Sequence, residues 1–148
     1  MRSKCLNRKN RREVVDFVNR KKWWHVPPCD KTAYAKRGQF LASSFAEAEF
    51  WGRPLDEPQK VMIAAPLVGD GTTIEEILFG SRFSSERLTI KQRWKLDARM
   101  KRAALANGHD SILLMSPQGF KKFRSVGKFP RSLELNILEP SVSIGAHQ

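Results

Sequence analysis

The sequence predicts an α+β domain, and three observations carry that expectation. Two segments place apolar residues at helical spacing behind capping residues. Several runs of strand length, either continuously apolar or alternating, are cut off by proline or glycine. Apolar residues make up 41% of 148 positions, enough to fill one core.

Taken in order, residues 1–9 read as a basic arm. Asn10 is a reasonable N-cap for a helix in which Val14 and Val18 share a face, with Lys21 and Lys22 at the end that favours cations. Trp23 to Val26 is a run of strand formers stopped by Pro27 and Pro28, which restrict the residue before them. Gly38 permits a turn into a second strand, Gln39 to Ala42. Ser44 with Glu47 three residues on is a capping box for a helix over Phe45 to Trp51, which Gly52 ends and Pro54 forbids to continue. Lys60 to Leu67 reads as one buried strand and VGDGTT as a turn. Ile74 to Phe79 is a short helix with Thr73 as cap and Gly80 as stop, and 81–88 is irregular. Thr89 caps a long helix from Ile90 to Asn107, with Gly108 just past its end. Ser111 to Met115 is a buried strand, and Ser116 to Arg131 a basic loop punctuated by glycine and proline. Leu133 to Leu138 alternates, with Glu134 and Asn136 opposite Leu133, Leu135 and Ile137. Pro140 ends that strand and a short VSI segment follows.

The formal net charge is +12, and it is unevenly spread. Residues 1–37 hold twelve Lys/Arg against three acids, 38–80 two against seven, 81–104 eight against two, and 121–131 five against none. Clustered cations of this kind bind a phosphate backbone through counterion release, so nucleic acid is the expected partner. On the long helix, Lys91, Lys95, Arg99 and Arg102 fall on one side at about 100° per residue, away from the apolar positions. Asp97 sits one turn from Arg93 and Lys101 and accounts for part of the remaining charge as a local ion-pair ladder. In the 118–131 loop, Phe120, Phe123 and Phe129 interleave with basic residues including Lys121, Lys122 and Arg124, a pattern that suits stacking on single-stranded bases. Tyr34, Phe45 and Trp51 are further candidates to stack on a nucleotide.

No apolar run is long enough to span a membrane, and no signal-peptide core follows the basic start. Two cysteines, Cys5 and Cys29, are expected as free thiols in a reducing cytoplasm. His25 and Cys29 offer only two metal ligands, and His109 and His147 have no paired spacing, so no metal is expected.

The order of several pieces resembles the ADP-ribosyltransferase-like fold, most of all its small versions in phages and mobile elements. These pieces are a strand with a histidine, the GQFLASSF strand leading into AEAEFW, a strand ending in APLVGD, a helix finishing in NGHDSILL, and the strand SLELNILEP. The likeness covers roughly residues 23–144, leaving residues 1–22 as a basic addition to a domain over 23–148. It implies a split pair of antiparallel sheets around a cleft for NAD, and transfer of ADP-ribose to an acceptor with release of nicotinamide. By position, His25 matches the histidine or arginine that grips the adenosine-side ribose. Ser43 and Ser44 match the motif that shapes the nicotinamide pocket, and Glu134 the glutamate addressing the nicotinamide ribose. A carboxylate there would stabilise the positive charge that develops on the sugar. Val26 and Pro27 stand where the family carries glycine and a small hydroxyl residue, and proline has no N–H to offer. Two expectations follow from the resemblance. One is an NAD-dependent transferase acting on nucleic acid or a nucleic-acid-associated protein in the cytoplasm, that of a host if the chain is phage-encoded. The other is a non-catalytic module on the same fold that binds nucleic acid or a host protein.

Overall fold

The computed structural model describes residues 7–27, 32–49, 52–80, 88–139 and 143–144. Cys5, Cys29, Trp51, His147, residues 1–6 of the expected arm and 81–87 lie outside them, as does the side chain of Tyr34.

In chain order the elements are α1 (Arg8–Arg20), β1 (Trp24–His25), α2 (Ala33–Arg37), β2 (Gln39–Ala42), α3 (Phe45–Glu49), β3 (Lys60–Val61), β4 (Pro66–Gly69), α4 (Gly71–Phe79), α5 (Ile90–Ala106), β5 (Ser111–Leu114), α6 (Pro117–Val126), β6 (Glu134–Ile137) and β7 (Ser143–Ile144). Five strands form one sheet in the order β1-β2-β6-β5-β4, and β3 pairs with β7 in a separate ribbon. The α+β class is as expected. An all-antiparallel pair of sheets is not what forms, because β4 and β5 run parallel. Helix α5 supplies the crossover that a parallel pair requires.

The alternating pleat divides the sheet into two faces. Leu41, Leu113, Leu135 and Ile137 share one face with Val14 and Val18 of α1, Phe120 and Phe123 of α6, and Trp23. The other face carries Leu67, Ile112 and, just past β6, Leu138, under Ile74 of α4 and Ala104 of α5. Helix α1 is thus part of the larger core, so no packing boundary falls at residue 22. Trp23 Nε1 donates to the Val18 carbonyl at 3.0 Å, and Asn19 donates to and accepts from the Ile63 backbone at 3.0 and 2.8 Å.

Several local expectations are corrected. Asn7, not Asn10, caps α1, accepting from the Asn10 N–H at 2.8 Å. Asp70, not Thr73, caps α4, accepting from the Thr73 N–H at 2.7 Å. The expected strand over 60–67 is two strands, because the Asp110 carboxylate accepts from the Ala64 and Ala65 N–H groups at 2.7 and 3.1 Å and holds a bend between them. Val68 and Gly69 belong to β4 and not to a turn. The largest revision is α6, which occupies most of the expected 116–131 loop. Ser116 caps it, Pro117 sits at its first position, and Gly127 closes it at φ 75°.

Candidate functional site

Strand β6 is flanked on both sides, and its register sets what faces α5. Glu134 aligns with Ala42 and Leu114, and Asn136 with Phe40 and Ile112. These positions point away from the α1/α6 core and toward Arg93, Asp97 and Met100, which together with Phe40, Ile112 and Leu114 line a small cleft. The cleft encloses about 40 Å³ of open space, room for a few water molecules. Arg93 Nε pairs with Asp97 at 3.5 Å. Burial raises the Glu134 carboxyl above its ordinary range and the neighbouring Asp97 carboxylate raises it further, while Arg93 opposes both. Asp97 is raised by burial and pulled down by Arg93 and Arg37. Asn136 is 6% exposed, donates through Nδ2 to the Arg37 carbonyl at 3.0 Å, and leaves Oδ1 without a partner among the described residues. That oxygen lies 2.2 Å from where a Cβ on Gly38 would stand, and Gly38 has φ 91°, so only glycine fits there.

His25 and Ser43 do not join Glu134. His25 aligns with Leu41, whose face is that of Leu135 and not of Glu134. It is 3% exposed and donates from Nδ1 to the Phe40 carbonyl at 2.9 Å, and burial lowers its pKa against a smaller upward pull from that bond. Ser43 Oγ donates to the Arg131 carbonyl and accepts from the Leu133 N–H, both at 3.0 Å, tying the end of β2 to the approach of β6. Ser44 Oγ accepts from the Glu47 N–H at 3.1 Å as the cap of α3. Among the described residues, His25, Ser43 and Ser44 therefore do not line the cleft beside Glu134. Phe45 packs edge-on against Trp24 at 5.2 Å between ring centres.

The seven expected nucleic-acid contacts are exposed, but they form two groups on opposite sides of the sheet. Lys91, Lys95, Arg99 and Arg102 lie on α5, and Lys121, Lys122 and Arg124 on α6. The α6 group has a partner that charge alone did not single out, the docked helix α1. Phe17 of α1 stacks on Phe129 at 3.9 Å, and Phe129 meets Phe123 at 4.9 Å. The phenylalanines expected to stack on bases are thus engaged with one another, Phe120 and Phe123 being 4% and 1% exposed. Around them the layer presents seven Lys/Arg against two acids over 8–22, and five against none over 117–131. The helical spacing of Val14 with Val18, and of Phe120 with Phe123, is the signal that marks both helices as amphipathic.

No protein-family model, curated protein or solved structure matches this chain. Among the described residues no group of three His, Cys, Asp or Glu side chains is placed to hold a metal ion, and no helix is long and apolar enough to cross a membrane.

Proposed function

We propose that this chain is a nucleic-acid-binding module that grips the phosphate backbone with the layer formed by α1 and α6. The carrying observation is that two helices on one side of the sheet bury their apolar stripes together and, with the residues that follow each of them, turn twelve cations against two acids outward or to the rim. With the local aromatics packed inward, the layer offers charge and little to stack on. It suits the backbone of a duplex, bound without base readout.

The test is a titration of a short duplex with the full chain at several salt concentrations. Affinity should fall steeply with salt, log K dropping by about 0.9 per released counterion for each decade of salt. Reversing Lys121, Lys122 and Arg124 to Glu should cost about ten-fold or more and flatten that slope. Salt-independent binding, or a reversal without effect, would remove the reading.

A second reading, ADP-ribosyl transfer from NAD, is favoured by one observation, the half-buried Glu134 in a cleft beside Asp97, its pKa raised by burial and by that neighbour. It rests on Glu134 without His25 or Ser43. Nicotinamide release from NAD that vanishes in Glu134→Ala, with the fold intact, would establish it, and no release would dismiss it.

A further inference from the structure

We infer that the N-terminal half of α5 is a second nucleic-acid surface, one that takes the unpaired bases of a single strand on Trp94. The observation is independent of the α1/α6 layer and lies on the far side of the sheet. Trp94 is 48% exposed and Ile90, one turn before it, is 69% exposed, although large apolar side chains elsewhere in the described helices are mostly covered. The Arg37 guanidinium sits 4.7 Å from the Trp94 ring, so the indole is backed by a planar cation that holds its orientation.

Beside this ring runs the basic line of α5. Lys91 and Lys95 lie three residues before and one after Trp94, about 60° and 100° round the helix, and Arg99 and Arg102 continue the same side. From Lys91 to Arg102 the line extends about 16 Å. The one carboxylate of this helix, Asp97, is turned under it and paired with Arg93 at 3.5 Å. The outward side therefore has a single sign of charge next to a flat aromatic ring. A single strand presents both complementary parts, phosphates and free base faces, and stacking on an aromatic ring is tolerant of sequence. A duplex keeps its base faces inside and meets only the cations. An apolar protein partner would leave the line of cations unmatched, so the surface commits to single-stranded nucleic acid.

The experiment measures binding of the full chain to oligo-dT and to a duplex of equal length, in the wild type, Trp94→Ala, Trp94→Phe and the Lys121/Lys122/Arg124→Glu variant. Trp94→Ala should weaken oligo-dT binding by roughly five- to hundred-fold while duplex binding changes by less than about two-fold, and Trp94→Phe should recover most of the loss. Oligo-dT should quench tryptophan fluorescence in the wild type and less so in Trp94→Phe. The α6 variant should raise the ratio of oligo-dT to duplex affinity. Equal oligo-dT affinity in the wild type and Trp94→Ala overturns the inference. So does a Trp94→Ala protein that binds oligo-dT normally but changes its sedimentation, which would make the patch a protein contact. If duplex binding is absent altogether but oligo-dT binding depends on Trp94, the α1/α6 reading falls and this one stands.

Discussion

On the α1/α6 side of the sheet, Phe120 and Phe123 are buried and Lys121, Lys122 and Arg124 face solvent. On the α5 side the ring of Trp94 is half outside, while Asp97 and Glu134 are turned in under the helix. Both sides set aromatic rings among cations, yet they use them in opposite senses. Cations on both sides also make contacts within the chain, Arg124 lying over Phe120 at 5.5 Å on the α6 side. Arg37 lies over Trp94, Arg99 over Phe79 at 4.8 Å, Arg93 pairs with Asp97, and the Lys101 ammonium donates to the Ala35 carbonyl. Composition is therefore a poor guide to which face of a helix meets a ligand. The phase of the aromatic residue relative to the apolar stripe decides it.

The sharpest way to break this contrast is to remove one aromatic from each side. Phe123→Ala empties a fully packed position and should cost about 3–5 kcal/mol, whereas Trp94→Ala should cost roughly 1 kcal/mol or less, both read by urea unfolding. Equal costs would mean that Trp94 is a core residue and that the two sides are alike.

A smaller effect tests how firmly α1 belongs to its side. Asn19→Ala leaves the Ile63 N–H and carbonyl without their side-chain partner and should cost about 1–3 kcal/mol. It should also raise hydrogen exchange in α1 before the rest of the chain. A loss below about 0.5 kcal/mol would mark α1 as loosely attached.

The two sides also carry buried titratable groups with opposite pH behaviour. His25 has a lowered pKa in the folded chain, so the unfolded chain binds its proton first and stability falls as pH drops below about 6.5. Glu134 has a raised pKa, so the folded chain holds its proton longer and stability falls as pH rises above about 4.5. His25→Gln should flatten the first slope and Glu134→Gln the second, in thermal melts followed across pH 4 to 8. A Glu134→Gln protein with an unchanged slope would show that the carboxyl is solvated in solution. A loss of about 1 kcal/mol is expected for Ser116→Ala, which removes the α6 cap and is read by the same urea unfolding.

Much of the architecture was legible because its signals are local. Thr89 does cap α5, and Gly80 closes α4 in the left-handed region. The alternation of Leu133 to Leu138 correctly separates Glu134 and Asn136 from the leucine face. Helix α6 was hidden by Gly119 and by the weight of exposed lysines, although Ser116-Pro117 and Gly127 are start and stop signals. Which face His25 takes was not legible. A strand of two residues has no periodicity, and only its pairing with Leu41 fixes the direction. The bend at Ala64 and Ala65 depends on a carboxylate 46 and 45 positions away, beyond any local pattern.

The order of strands has a consequence for how the chain is made. Strand β6 is the middle of the sheet, yet it follows β1, β2, β4 and β5 in the sequence. As the polypeptide leaves the ribosome, β2 and β5 therefore emerge with unpaired edges, and nothing joins them until residues 134–137 arrive. Until then the nascent chain exposes two adhesive strands beside a strongly basic surface. Its yield in cells should depend on chaperone occupancy during that interval more than on the stability of the finished fold.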